Sequence, residues 1–145
     1  MTRATSILCL FVSLSFSIAS DTDSFRFPAQ LQSSSACLSY EPSVVELTGT
    51  IVRKTFTDAQ DRPETYWVLE LSRPICVNQD QKEPDINYAQ KDIRLIQLVF
   101  LNQKMFVTYK DLPGKRVIAK GTLFAGISAH HHTPVLLTVN TLRIA

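Results

Sequence analysis

Apolar and polar residues alternate along five separate stretches of the chain, and a period of two is the signature of a strand buried on one face. In VVELTGTIVRK, Val45, Leu47, Gly49 and Ile51 share a face opposite Glu46, Thr48 and Thr50. A glycine inside such a run marks a bend or a close backbone approach. TYWVLEL aligns Trp67 with Leu69 and Leu71, which places the tryptophan in the core. SRPICV follows directly, and Pro74 confines that stretch to an edge or a bulge. IRLIQLVF aligns Ile96, Leu98 and Phe100, and KRVIAKGTLFAG aligns Val117, Ala119, Gly121 and Leu123. In PVLLTVNTLRIA the apolar phase moves from Val135, Leu137 and Val139 to Leu142 and Ile144, which predicts a bulge in a fifth strand.

Between the third and fourth stretches the period changes. Met105, Phe106, Tyr109 and Leu112 fall at helical spacing, with Asn102 as N-cap and Pro113-Gly114 as the stop. KTFTDAQDRPE (54–64) reads as a polar loop. Residues 78–92 read as a long surface loop, and loops beyond about 12 residues are uncommon unless functional or disordered. The predicted fold class is all-β with one short helix, β-β-β-α-β-β, arranged as an OB-like small barrel. Closing the sheet would also remove the exposed edges that apolar strands otherwise present. An open α+β sheet with the helix on one face is the alternative.

The N-terminus changes the picture of where the protein works. MTRATSILCLFVSLSFSIAS has a basic start at Arg3, an apolar run from Ile7 to Ile18 and a small-x-small site at Ser17-Ile18-Ala19, the plan of a secretory signal peptide. The apolar run falls short of the roughly 20 residues that span a bilayer, so stable membrane insertion after cleavage is not expected. Residues 1–20 are therefore the expected signal peptide, 21–36 a polar serine-rich arm, and 37–145 a single domain large enough for one core. From residue 21 onward the chain holds 14 basic and 13 acidic residues, a formal charge of +1. So balanced a charge lacks the basic face of a nucleic-acid binder. Cys37 and Cys76 remain as an even pair, which an oxidising compartment would join.

Several motifs carry a resemblance. ETYWVLEL, PICV, IQLVF, LPGKRVIAKGTLF and HHHTPVLLTV, in this order, resemble a family of small exported bacterial domains of uncharacterised function. The likeness runs from about Cys37 to Leu142. It implies a bacterial, exported (periplasmic or secreted) OB-like domain, and it supplies no activity and no catalytic residue.

Candidate chemistry centres on His130, His131 and His132, the only histidines. In an extended segment His130 and His132 would share a face, a pair that suits Zn, Cu or Ni. Two ligands fall short of the four that a structural zinc site takes, and the chain offers no Cys-x-x-Cys or His-x-x-x-His to add more. Catalysis has less support: Ser128 lies in no Gly-x-Ser-x-Gly elbow, and the carboxylates Asp58, Asp61, Glu64, Asp80, Glu83 and Asp85 sit in polar loops. Recognition fits better. Tyr66, Tyr88, Phe124 and His131 are the candidate partner contacts, since aromatic side chains dominate interface hot spots. The expected function is a non-enzymatic binding module for a protein or a cell-envelope component, of inhibitor or immunity type. The alternative is a metal-binding accessory protein using His130 and His132.

Overall fold

The computed structural model describes residues 36–145, so the expected signal peptide and all but the last residue of the polar arm lie outside the described residues. The element order is β1 (Val44–Thr57), β2 (Pro63–Val77), β3 (Gln90–Val99), α1 (Gln103–Thr108), β4 (Arg116–Ala125) and β5 (Val135–Ile144), the predicted β-β-β-α-β-β. The strands close in a ring, β1-β2-β3-β5-β4 and back to β1. All neighbours are antiparallel except β3 and β5, which run parallel through Gln97–Val99 and Leu136–Thr138. Ring closure sets aside the open α+β sheet.

The alternation sends one face of every strand inward. Leu47, Ile51, Trp67, Leu69, Ile96, Leu98, Val117, Leu123, Leu137 and Val139 belong to one continuous core cluster. Ile144, expected to follow Leu142 inward, is 61% exposed at the end of its strand. The β5 bulge is found: Thr141 pairs with Lys120 and Val139 with Gly121, so Asn140 has no partner in the ladder. α1 has the expected cap, Asn102 Oδ1 accepting from the Met105 amide at 3.0 Å. Half-buried Met105, Tyr109 and Leu112 pack on the core, while Phe106 meets Trp67 at 4.7 Å between ring centres.

Two segments differ from expectation because strand pairing overrides their polar composition. Residues 54–57 and 63–64 belong to strands rather than to a loop, with Thr55 paired to Thr65 and Phe56 to Glu64. The turn shrinks to 58–62. Asp58 shapes it by accepting from the Gln60 and Arg62 amides, each at 2.8 Å, and from the Arg62 guanidinium. Those backbone donors hold the Asp58 carboxyl below its ordinary range. Residues 78–89 form the second loop, and β3 starts three residues before the expected boundary. That loop is anchored by the buried Tyr40, whose hydroxyl donates to the Tyr88 carbonyl at 2.9 Å.

β1 carries the closure. It pairs with β4 over Val44–Thr50 and with β2 over Gly49–Thr57, so only Gly49 and Thr50 have partners on both sides. A side chain at Gly49 would put Cβ against the Glu70 carbonyl oxygen, the close approach its place in the strand predicts. On the N-terminal side of Gly49, β1 and β2 part. The Cys37–Cys76 disulfide spans a sequence separation of 39 residues and fastens the start of the described chain to the end of β2. Leu38 continues there as a one-residue parallel bridge to Val77. Among the described residues no helix is long and apolar enough to cross a membrane.

Replacing both cysteines by serine lowers stability by about 4 kcal/mol in the loop-entropy account for a closed loop of this size, read as a fall in the midpoint of urea unfolding.

Candidate functional site

Period-two alternation also builds an outer face. Phe56 on β1, Glu64, Tyr66 and Val68 on β2, Gln97 on β3 and Leu136 on β5 have the parity opposite to the core residues of their strands. Val68 and Leu136 are nevertheless fully buried and Gln97 is 3% exposed. The cover is the β4–β5 loop, residues 126–134, folded back over this face.

Gln97 pins that loop. Its amide Nε2 donates to the His130 carbonyl at 2.9 Å, and its Oε1 accepts from the His132 amide at 2.8 Å. The Gln97 backbone amide donates to Thr133 Oγ1 at 3.0 Å, whose hydroxyl donates onward to the Val135 carbonyl at 2.7 Å. One buried amide thus satisfies loop groups that would otherwise lose water without replacement.

The three histidines do three different things. His130 lies over Glu64, its Nδ1 3.2 Å from Glu64 Oε2 and 3.4 Å from the Tyr66 hydroxyl oxygen. Tyr66 itself donates to Glu64 Oε2. With a proton on Nδ1 the His130 ring donates to the carboxylate and presents Nε2 outward from a side chain 66% exposed. His131 turns back into its own loop, where Nδ1 accepts from the Ile127 and Ser128 amides at 3.1 and 3.3 Å. Its ring also stands edge-on to Phe124 at 5.4 Å. His132 stacks flat on Phe56, with ring centres 4.5 Å apart and planes within 3°, and touches Tyr66 at 5.0 Å. Among the described residues, the buried His132 Nε2 has no hydrogen-bond partner.

The electrostatics follow. Tyr66 is pushed up to about 12, first by burial and then by its bond to Glu64 and the charge of that carboxylate. Glu64 is held low by the hydrogen bond from Tyr66 and then by that from His130. Partial burial lowers His131, with the neighbouring imidazoles adding to it, as suits a ring whose Nδ1 lone pair already accepts two amides. Chemically, the Glu64–His130 pair resembles the oriented base of an acid–base site, but among the described residues no serine, threonine or cysteine is bonded to His130 to serve as nucleophile.

Beside the cluster runs a groove of about 450 Å³ between β2, β3, the start of α1 and the β4–β5 loop. Tyr66, Trp67, Phe100 and Phe106 give it aromatic walls, and Gln97, Asn102 and Gln103 give it amides. Among the described residues, no carboxylate, lysine or arginine lines it.

Of the expected partner contacts, Tyr66 and His131 line this groove, Phe124 packs on His131, and Tyr88 stands elsewhere, 48% exposed on the β2–β3 loop. The expected metal pair His130 and His132 both meet Tyr66, one at its hydroxyl and one at its ring. Among the described residues no three His, Cys, Asp or Glu side chains converge. Glu64, Phe56 and Gln97 are the site residues that sequence reasoning passed over. The signal for two of them was present: Glu64 and Tyr66 sit two apart on one strand, and Gln97 is a lone amide inside an apolar run.

A family profile described as Domain of unknown function (DUF4431) matches residues 95–144. That span carries Gln97 and all three histidines, and leaves Glu64 and Tyr66 outside it. No curated protein matches the chain.

Two predictions follow from the bonding. In a spectrophotometric titration of the four tyrosines, Tyr66 ionises near pH 12, and Glu64→Gln moves that step down by removing the carboxylate charge. Because the folded value lies above the unfolded one, Tyr66 supports the fold fully below about pH 10 and ceases to do so as pH rises through 12. Gln97→Leu leaves a loop carbonyl and amide unpaired, lowers stability by roughly 2–3 kcal/mol, and speeds amide hydrogen exchange at His132.

Proposed function

We propose that this chain is an exported, non-enzymatic binding module with an OB-like ring, and that its ligand enters the groove on the outer face of β2 and β3. One observation carries the reading: Glu64 beside the β1–β2 turn and His130 of the β4–β5 loop meet across that face, next to a groove of about 450 Å³. In OB folds the strand 2–3 face, with the loops joining strands 1–2 and 4–5, is where ligands bind. The strand order β1-β2-β3-β5-β4 and the helix between β3 and β4 support the comparison.

The lining sets the chemistry of the ligand. Aromatic walls, three amides and imidazoles select an uncharged, partly apolar group, such as a side chain of a partner protein or a neutral unit of an envelope component. A partner held this way would be anchored by Tyr66 and Phe106 and gripped at the rim by His130. An inhibitor or immunity-type role suits a domain of this size with a preformed, pinned loop. Export is supported by the N-terminal sequence and by the disulfide. Metal binding by His130 and His132 has less support, because the His132 ring lies flat on Phe56 with its Nε2 buried and, among the described residues, no three His, Cys, Asp or Glu side chains converge.

A photo-crosslinking residue at Gln103, on the groove, captures the partner in producing cells, whereas the same residue at Tyr88 does not. Tyr66→Ala with His130→Ala weakens binding of that partner at least tenfold. Equal capture from both positions, or full binding by the double variant, would show that the groove is not the site.

A further inference from the structure

A second opening lies on the opposite flank of β2. Below Gly49, β1 pairs with β4 alone over Val44–Thr48. On β2 the ladder to β1 ends at Leu71, and the register to β3 jumps from Glu70 to Ile75. Among the described residues, Ser72, Arg73 and Pro74 therefore have no ladder partner on either side, and all three are exposed. The two strands part around a cavity of about 580 Å³. Leu71 and Ile75, half-buried against the core, form its apolar side, and Arg73 and Arg116 stand at it exposed. Among the described residues neither arginine makes an ion pair, while Glu46, also at this cavity, faces Lys120 at 3.9 Å. At one end the seam already holds a short extended piece of chain: the Leu38 amide donates to the Cys76 carbonyl and the Asn78 amide to the Leu38 carbonyl, both at 2.8 Å.

We propose that this seam is a docking site for an extended, acidic peptide segment of another protein, which pairs with the free stretch of β2 where Leu38 leaves off. Unpaired strand backbone is a template for an added strand. Leu38 shows that β2 accepts a parallel partner on this flank. Proline, charge and a bulge are the features by which edges resist pairing, and Arg73 and Pro74 sit here. Their effect is selective. Two copies of this chain would bring arginine against arginine, whereas a strand with Asp or Glu near Arg73 and Arg116 gains two charge-assisted contacts. Pro74 lacks an amide donor, and neighbouring amides of a strand point to opposite flanks. The donor here is whichever of the Ser72 and Arg73 amides faces the seam, with carbonyls accepting the remaining bonds. This site is separate from the β2–β3 groove and does not depend on the reading given to that groove.

The test is a displayed library of random nine-residue peptides selected against the disulfide-bonded full chain. Enriched peptides are expected to carry Asp or Glu among alternating apolar residues and to slow amide exchange at one of Ser72 and Arg73, the one whose amide faces the seam. The variant Arg73→Glu/Arg116→Glu, with both substitutions on exposed side chains, keeps its unfolding midpoint and binds at least tenfold more weakly. A backbone N-methylated copy of an enriched peptide loses binding to a similar degree, which distinguishes strand addition from charge contact alone. The proposal fails if nothing acidic is enriched, or if N-methylation leaves affinity unchanged. It fails equally if Tyr66→Ala abolishes binding, which would move the peptide to the groove. Peptide binding that appears only after residues 21–35 are removed would also overturn it, since the seam would then belong to this chain itself, as would a concentration-dependent dimer that Arg73→Glu dissolves.

Discussion

The architecture depends on two residues of one strand. β1 is 14 residues long, yet only Gly49 and Thr50 pair with both neighbours. A single strand that hands its pairing from β4 to β2 at this point bends the sheet round on itself. The handover is possible because position 49 has no side chain: a Cβ there would collide with the Glu70 carbonyl. Everything else follows from the place where β1 changes partner. Its second half reaches up beside β2 and brings Phe56 to the His132 ring, while its first half leaves β2 and opens the seam.

The outer face of β2 and β3 then becomes the second focus of order. A ring of strands normally leaves such a face to water, but here Val68, Gln97 and Leu136 are buried beneath the β4–β5 loop. The loop is held by an amide that both donates and accepts, and by an imidazole that serves its own backbone. That spends His131 on architecture and leaves His130 as the imidazole presented outward. Three adjacent residues of one chemical type thus acquire three roles, because successive side chains in a folded loop meet different neighbours.

Much of the fold was legible from alternation alone, since most inward residues of the strands and the bulge near Asn140 follow from a period of two and its change of phase, with Ile144 at a strand end an exception. The ends of the polar connection at 54–64 were not, because pairs such as Thr55 with Thr65 gain their stability from register across strands, which composition does not encode. The site was half legible. Tyr66 and the histidines stand out by type, but Glu64 looks like any acidic loop residue until a hydroxyl and an imidazole 66 positions away converge on it. Gln97 is the instructive case. A single amide in an apolar strand is a sequence-level sign of a buried polar contact, and it marks where the loop lands.

The parallel pairing of β3 with β5 also has a temporal side. β5 is bonded to β3 on one edge and to β4 on the other, so neither edge is satisfied until residues 135–144 have been made. Contacts of such long sequence separation form late and slowly. A chain made only as far as β4 lacks the strand that joins β3 to β4, so its ring cannot close.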